Sequence, residues 1–350
     1  MVFDSLAEMG HEQVSYFSDP ETDLQAIVAV HDTTLGPGLG GTRMLDYESE
    51  SAALEDVLRL SRAMTYKAAA ADLPLGGGKA VVVGDPERVK TEHLLEAYGR
   101  AVDAMGGRYV TSVDVNTGVA DMDVVSRATD HVVGTSDGLG DPSPITAHGV
   151  FHGIRAAIEY AYGTDSVAGR EVVVQGLGKV GSMLAERLLE RDASVAVSDV
   201  DHEAVEAFAA DHDVETVPPE AVYDHPCDVF APCAVGGVVD DDTVDRLACD
   251  VVAGAANNVL AERRHAAALR NREILYAPDY VVNAGGLITV AKEYLGGSRE
   301  DARDDAAAIG GRLLELFETA DRRDVTPLAA AESYAEERID AADAPTLASP

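Results

Sequence analysis

The chain has 350 residues, of which 46% are hydrophobic and 25% charged; this is a globular composition, and the length suggests two domains. Its 62 acidic and 27 basic residues give a net charge of −35, which disfavours nucleic-acid binding because the electrostatic footprint has the wrong sign. Apolar runs stay far below the ~20 residues of a membrane span, the first residues do not resemble a signal peptide, and the three cysteines are too few for a disulfide scaffold, so we expect a cytoplasmic protein without a membrane role.

In the first part of the chain, we predict a strand over 24–31, a Gly-rich turn over 35–41, a helix over about 51–71, a short strand over 80–83, a helix over 91–105 and a strand over 108–113 that leads into Asp114. The 51–71 helix has apolar residues at helical spacing and ends at Pro74 and the glycines of 76–78. The segment 134–144 is rich in Gly, Pro and Ser and is interpreted as a hinge.

In the second part, we predict a long helix over 146–162, strands over 171–175 and 194–198 with a helix over 182–191 between them, further strands over 228–232, 250–254 and 273–278, and a mostly helical segment from 283 to about 341. This alternation is typical of a parallel α/β sheet. The predicted fold class is therefore α/β, with an N-terminal substrate and catalytic domain over 1–141 and a Rossmann-type, doubly wound domain over 142–325. The C-terminal segment 326–350 is a candidate to return to the first domain.

The acidic excess predicts a protein adapted to a salt-rich cytoplasm, because salt screens the self-repulsion of such a surface. An acidic face for a basic partner is the alternative, and it predicts clustered acids. Only five of the 27 basic residues are lysines, so the lysines that remain are candidates for chemistry.

The sequence Gly176-Leu177-Gly178-Lys179-Val180-Gly181 follows a predicted strand, and Asp199 ends the next one. This is the context of a dinucleotide fingerprint, in which glycines let the backbone approach the pyrophosphate and the acid binds the ribose hydroxyls. A carboxylate there repels the extra phosphate of NADP, so NAD is the predicted cofactor. The alternative is a tight βα turn with an exposed acid.

Two other glycine motifs are not interpreted as nucleotide sites. Gly36-x-Gly38-x-x-Gly41 contains Pro37 and does not lead directly into a helix, so it is interpreted as a turn. The GGGK of 76–79 lacks both the Walker spacing and the Ser or Thr after the lysine.

Lys67 and Lys79 both lie in apolar surroundings, where a lysine has a lowered pKa and can act as a base near neutral pH. Snorkelling or ion-paired lysines are the alternative. Asp114 ends a strand, a common place for a catalytic carboxylate. His148 and His152 have i, i+4 spacing but lack the Glu of HExxH, and Cys227 and Cys233 have no partner pair, so no metal site is predicted.

Several stretches together resemble the amino-acid dehydrogenase family of glutamate, leucine, phenylalanine and valine dehydrogenases, and most resemble its leucine dehydrogenases. They are GLGGTRM (38–44), AMTYKAAAADLPLGGGKAVV (63–82), GRYVTSVDV (107–115), PSPITAHGV (142–150), GLGKVG (176–181), APCAVGG (231–237), AGAANN (253–258) and APDYVVNAGGLITV (277–290). The sequence departs from the leucine-enzyme pattern at Asn116, Gly118, His148, His152 and Leu287. Of these departures, only the one at Leu287 affects which substrate side chain is expected to be preferred.

The resemblance implies a role for each matching position. Lys67 would bind the substrate α-carboxylate with the Gly40–Gly41 backbone, Lys79 would be the catalytic lysine, and Asp114 would be its partner in proton transfer. Thr146 and Asn258 would hold the nicotinamide end. The side-chain pocket would be lined by Met64, Leu39, Val133, Leu287 and Val290.

The implied reaction is the reversible, NAD-dependent oxidative deamination of a branched-chain L-amino acid to a 2-oxo acid and ammonium, in a cleft that closes to exclude water. Glutamate enzymes of the family carry a Lys and a Ser where this chain has Leu39 and Val290, and an apolar pair cannot bind a distal carboxylate. Leucine, valine and isoleucine remain, and phenylalanine is disfavoured because Val133 and Leu287 narrow the pocket. Glutamate dehydrogenase and a non-catalytic NAD-binding sensor are the alternatives, and the resemblance also implies a homo-oligomer.

Overall fold

The computed structural model describes residues 2–343, which form two compact units. Unit 1 comprises the chain up to Gly140, Val290–Ser298 and the chain from Ala335; unit 2 comprises Asp141–Thr289 and Arg299–Tyr334. The C-terminal return therefore begins at Ala335 rather than at 326, and residues 344–350 of the predicted returning segment lie outside the described residues. None of the helices within 2–343 has the length and apolarity needed to cross a membrane.

Up to Gly140, the elements in chain order are α1 (Val2–Met9), β1 (Gln13–Asp19), β2 (Leu24–Asp32), β3 (Gly38–Leu45), α2 (Glu50–Ala70), β4 (Gly76–Val83), α3 (Pro86–Val89), α4 (Glu92–Asp103), β5 (Tyr109–Val113) and α5 (Val119–Val125). The side chain of Ser49 caps α2 by accepting a hydrogen bond from the Ala52 N–H at 3.1 Å, which satisfies one of the free donors of the first turn.

The sheet of unit 1 has the order β1-β2-β4-β3-β5. The pairs β1–β2 and β2–β4 are antiparallel, whereas β3 is parallel to both β4 and β5. Because side chains alternate between the faces of a strand, Val81 packs with the buried residues of α2, whereas Ala80 and Val82 pack with α4 and α5. The sheet is therefore covered on both faces, and Lys79 lies on the α2 face, two residues from Val81.

From residue 141 the elements are α6 (Ser143–Tyr162), β6 (Glu171–Gln175), α7 (Lys179–Leu189), β7 (Ser194–Ser198), α8 (His202–Asp211), β8 (Glu215–Thr216), β9 (Cys227–Pro232), β10 (Cys249–Val252), α9 (His265–Asn271), β11 (Leu275–Tyr276), α10 (Asp279–Val282), α11 (Gly285–Tyr294), α12 (Arg299–Ala307), α13 (Ile309–Arg323) and α14 (Pro327–Asp343). The helices α11 and α14 each contribute residues to both units.

The sheet of unit 2 has the order β11-β10-β9-β6-β7-β8, and its neighbouring strands are all parallel. Counted from β8, this is the strand order 3-2-1-4-5-6 of doubly wound dinucleotide-binding folds. The order reverses between β6 and β9, where such folds bind their ligands. The predicted α/β class and the Rossmann-type sheet are confirmed.

Two local predictions were wrong. The turn predicted over 35–41 ends at Pro37, and residues 38–41 belong to β3; the glycines of 76–78 begin β4 instead of forming the stop after α2. Both segments were misinterpreted because glycine weakens a strand in isolation. Here close packing requires it, since a Cβ on Gly40 would collide with the Gly78 carbonyl and a Cβ on Gly77 would collide with Thr65 of α2.

Candidate active site

The site in unit 1 is centred on a buried ion pair between Lys79 and Asp114. Lys79 Nζ lies 2.8 Å from Asp114 Oδ2, and the lysine side chain is only 7% exposed. Lys79 stands in the middle of β4, whereas Asp114 directly follows β5. The structure thus brings together the two residues that the sequence proposed as catalytic.

Glycine in β3 makes this contact possible. In the order β4-β3-β5, the lysine side chain must cross over β3 to reach Asp114. The register, with Leu39 beside Gly77 and Thr42 beside Ala80, places Gly41 next to Lys79. A Cβ on Gly41 would collide with the Val113 carbonyl and lie 2.8 Å from Asp114 Cβ, so Gly41 keeps the path of the lysine open.

Arg43 is a second cation on the same carboxylate. Its Nε donates to Asp114 Oδ2 at 3.1 Å, and its Nη1 donates to Asp56 of α2 at 3.0 Å. Asp56 also accepts hydrogen bonds from Tyr47 and Arg59. This network joins β3 to α2 and gives Asp114 Oδ2 a second cationic partner besides Lys79. Sequence reasoning missed Arg43, although it lies in the GLGGTRM stretch.

The surroundings shift the pKa values of both members of the pair downward. Burial lowers the pKa of Lys79, and the attraction of Asp114 offsets this only in part. Burial alone raises the pKa of Asp114, but Lys79 and then Arg43 outweigh it, and the net pKa is lowered. Asp114 therefore stays charged at neutral pH, and Lys79 gives up its proton more readily than an exposed lysine.

The residues proposed to bind substrate are distributed as follows. Lys67 and Met64 are half-buried on α2, the helix that covers the Lys79 face of the sheet. Leu39 is 1% exposed, and its carbonyl-side neighbour Gly40 accepts a hydrogen bond from the buried Tyr109 hydroxyl at 2.7 Å. Tyr109 thereby fixes the backbone at the Gly40–Gly41 segment.

Two further positions proposed for the side-chain pocket lie in unit 1. Val133 is buried, and its N–H donates to the Thr111 carbonyl of β5 at 2.9 Å. Val290 is half-buried on α11, one turn before Glu293, whose carboxylate accepts the Gly134 N–H at 2.7 Å. The Glu293 contact thus holds the end of α11 against the segment that contains Val133. Leu287 is buried and belongs to unit 2.

In unit 2, the loop from Gly176 to Gly181 lies at the carboxyl end of β6. Gly176 has φ +104°, and a Cβ on Gly181 would collide with the Gly176 carbonyl, so both glycines are needed for the tight turn. A Cβ on Gly178 would meet nothing within 4 Å, which leaves open space directly before the N-terminus of α7. Within this loop Leu177 is buried, Val180 is half-buried, and Lys179 is exposed and pairs with Asp141 at 3.2 Å.

Asp199 follows β7 beside this loop. Its Oδ2 accepts the Leu177 N–H at 2.7 Å, and its Oδ1 accepts the Asp201 N–H at 2.9 Å. Each carboxylate oxygen keeps lone-pair capacity for a further donor such as a ribose hydroxyl. The open space at Gly178, the helix N-terminus and this carboxylate together fit a dinucleotide.

The proposed nicotinamide residues lie on two further segments of unit 2. Thr146 is half-buried on α6, and its hydroxyl donates to the Pro142 carbonyl at 3.1 Å. Asn258 is exposed with φ +52°, in the segment after β10. The buried Asn283 amide holds that segment by donating to the carbonyls of Ala255 and Ala256, at 3.2 Å each. Sequence analysis did not single out Asn283 for this positioning role.

Comparison with known proteins identifies the family. Residues 11–131 match the model of the Glu/Leu/Phe/Val dehydrogenase dimerisation domain, and residues 138–205 and 200–308 match that of Glutamate/Leucine/Phenylalanine/Valine dehydrogenase. The chain is 46% identical to leucine dehydrogenase of Thermoactinomyces intermedius over 97% of this chain and 93% of that one, and 45% identical to phenylalanine dehydrogenase of Caldalkalibacillus thermarum over the same shares.

Among solved structures, L-tryptophan dehydrogenase of Nostoc punctiforme has a TM-score of 0.89 and 45% identity, and covers 98% of this chain and 99% of its own. The predicted resemblance to this family, and to its leucine dehydrogenases, is confirmed. Tryptophan enzymes are similar relatives that the sequence analysis did not weigh. The chain belongs to the Glu/Leu/Phe/Val dehydrogenase family, a family of NAD(P)-dependent amino-acid oxidoreductases.

Proposed function

We propose that this protein catalyses the reversible, NAD-dependent oxidative deamination of a branched-chain L-amino acid, namely leucine, valine or isoleucine. The observation that carries the proposal is the buried Lys79–Asp114 pair on the face of the sheet that also contains the buried, apolar Leu39. A charged pair supplies acid–base chemistry there, and an apolar wall receives an aliphatic side chain.

In this proposal, Lys67 and the Gly40–Gly41 backbone bind the substrate carboxylate. NAD, when bound, would accept the hydride that leaves the substrate α-carbon. Lys79, whose pKa is lowered by burial, removes a proton from the water that attacks the resulting imine. Asp114 is ionised at rest, so it can accept a proton and return it to the nitrogen that leaves as ammonium. Arg43 positions Asp114 and does not touch the substrate.

The aliphatic preference rests on the apolar positions. Leu39 is 1% exposed, and an unpaired substrate carboxylate buried beside it is very costly, which disfavours glutamate. Phenylalanine and tryptophan are the second candidates, because relatives named for both are about as similar to this chain as those named for leucine. One methylene in a substrate changes the free energy that discriminates it from another by only ~1–3 kcal/mol. The preferred substrate side chain must therefore be determined by measurement.

The test is NADH formation by the purified protein in molar KCl with leucine, valine, isoleucine, phenylalanine, tryptophan and glutamate, compared as kcat/KM. We expect the three branched substrates to lead. If an aromatic substrate led by more than tenfold, the reaction would stand and the side-chain assignment would fall. If no amino acid gave more NADH than the Lys79→Ala variant, the catalytic assignment itself would be wrong.

We infer that NAD is preferred over NADP because of Asp199. The exposed neighbour Val200 offers a place for a basic residue. In Asp199→Asn/Val200→Arg, the amide oxygen keeps an acceptor for the loop, whereas the charge that repels the extra phosphate of NADP is gone. We expect the NAD-to-NADP ratio of kcat/KM to fall at least tenfold, with Val200→Arg alone as the control. An unchanged ratio would remove Asp199 from the ribose site.

We also infer a homo-oligomer, because residues 11–131 match a model described as a dimerisation domain. Light scattering coupled to size exclusion in molar KCl tests this inference. A monomer at micromolar concentration would contradict it.

A further inference from the structure

His148 and His152 lie one turn apart on α6, with ring centroids 4.6 Å apart in an edge-to-face arrangement. The neighbouring helices contribute two arginines. Arg187 of α7 lies with Nη1 3.4 Å from His148 Nδ1, and the charge of Arg303 of α12 acts on both rings. We call these four side chains the cationic notch. Within 2–343 there is no group of His, Cys, Asp and Glu suited to a metal.

The protein compensates the charges of the notch only in part, through the attraction between Glu190 and Arg187. Among the described side chains, neither Arg187 nor Arg303 forms an ion pair with a carboxylate, although acids outnumber bases 62 to 27. Two nearby arginines differ in this respect: Arg155 pairs with Asp165, and Arg191 lies 3.9 Å from Glu190. The charge of Arg303 also lowers the pKa of Arg187, so two guanidinium groups lie near each other in a very acidic protein.

Both histidines are neutral at pH 7. Burial, then the neighbouring ring and the two arginines, lowers the pKa of His148 to about 4, and burial with Arg155, Arg187 and Arg303 lowers that of His152. Since a guanidinium only donates, His148 Nδ1 accepts from Arg187, and its proton is on Nε2. The notch therefore presents two fixed positive charges and neutral imidazole donors.

We propose that the cationic notch binds a small tetrahedral dianion of the phosphate type. Two guanidinium groups match a charge of −2, and their planar forks suit phosphate oxygens. Arg303 is exposed, Arg187 and His152 are half-buried, and His148 is buried. The site is thus open to solvent on one side and partly shielded on the other, which strengthens the attraction compared with an exposed pair. The loop from Gly176 to Gly181 plays no part in it.

The experiment is calorimetric titration of the NADH-saturated protein with inorganic phosphate at constant ionic strength in KCl. Saturating NADH keeps phosphate from the Gly176–Gly181 loop. We expect one saturable site, at least tenfold weaker in Arg187→Gln and in Arg303→Gln. Arg322→Gln is the matched control, because it removes the same charge from an exposed arginine of the same unit, and we expect its affinity to be unchanged.

Three further measurements sharpen the test. Arg187→Lys keeps the charge, so it should retain more of the affinity than Arg187→Gln if both fold, as circular dichroism will show. In NMR titrations, phosphate should raise the pKa of His148, because a bound anion favours the imidazolium. Titration with a phosphomonoester such as glycerol phosphate distinguishes two kinds of ligand. Tighter binding than that of inorganic phosphate would indicate an organic phosphate, and weaker binding would indicate the free ion.

The proposal is overturned if phosphate shows no saturable binding, or if Arg187→Gln and Arg322→Gln bind it equally well. Deamination activity is measured separately with the amino-acid panel. A failure of the anion site therefore leaves the proposed reaction untouched, and the reverse also holds.

Discussion

Gly41→Ala tests whether the Lys79–Asp114 pair depends on a bare backbone in β3. The added methyl would collide with the Val113 carbonyl and lie 2.8 Å from Asp114 Cβ, whereas ordinary contact begins at 3.4 Å. Asp114 must therefore move by about 0.6 Å, or β3 must shift against β5. A displacement of 0.6 Å away from Lys79 stretches the 2.8 Å ion pair to about 3.4 Å, beyond the usual hydrogen-bond range.

The magnitude follows from this displacement. A misplacement of ~1 Å costs on the order of 10²-fold in rate, so we expect kcat to fall by roughly 10–10²-fold. Overpacking costs ~1–3 kcal/mol of stability, which lowers the melting temperature by several degrees in a protein of this size. NADH affinity should stay within about twofold, since the proposed cofactor loop belongs to unit 2.

The assay is steady-state reductive amination, with NADH binding followed by fluorescence. Gly118→Ala is the matched control: it lies four residues after Asp114, has φ −135°, and its added Cβ meets nothing within 4 Å. We expect it to keep near-normal kcat. If folded Gly41→Ala kept kcat within threefold of the parent, the alignment of the pair would not depend on β3 and the reasoning would be refuted.

Three other changes have definite expected outcomes. Lys79→Ala should lose ~10²–10⁴-fold in turnover, the usual contribution of an acid–base group, while NADH binding measured by fluorescence persists; more than a tenth of the parent rate would exclude an essential base. The melting temperature should rise between 0.1 and 2 M KCl, because the Debye length falls from ~10 Å to below ~3 Å; a curve independent of KCl would contradict the salt-adaptation hypothesis. Burial lowers the pKa of His11 from 6.5 to about 4. As the pH falls through this range the unfolded chain binds a proton at His11 and the folded chain does not, so stability is lost between pH 6.5 and pH 4. His11→Asn should reduce the fall in melting temperature over that range, and a slope identical to that of the parent would contradict this prediction.

The Rossmann-type unit could be predicted from sequence because its signals are local. The strands predicted over 171–175 and 194–198 have those same bounds in the structure. Each is a short apolar run between turn residues, and the glycine motif lies between them. Where a strand is buried on both faces, its continuous apolar composition is enough to predict a strand.

Unit 1 was harder to predict because its signals are not local. The edge strand β1 (Gln13–Asp19) is only half-buried, and its weak alternation was missed. The scarcity of lysine and the strand end pointed to Lys79 and Asp114, but their contact depends on the β4-β3-β5 order, which no local pattern specifies. Arg43 and Asp56 were missed for the same reason, since only the assembled sheet places them beside Asp114.

The glycine contacts of β3 and β4 divide this face of unit 1 into a part that evolution can vary and a part that it cannot. Any side chain at Gly40, Gly41 or Gly77 collides with backbone or with Thr65, so mutational libraries at these positions should return almost no folded, active clones. Met64 and Val290 are half-buried and carry no such restriction. If Met64 and Val290 line the side-chain pocket as proposed, selection for a new amino acid acts on them, while the glycine backbone of β3 and β4 stays unchanged. Relatives named for leucine, phenylalanine and tryptophan, at 45–47% identity to this chain, are what such a division would produce.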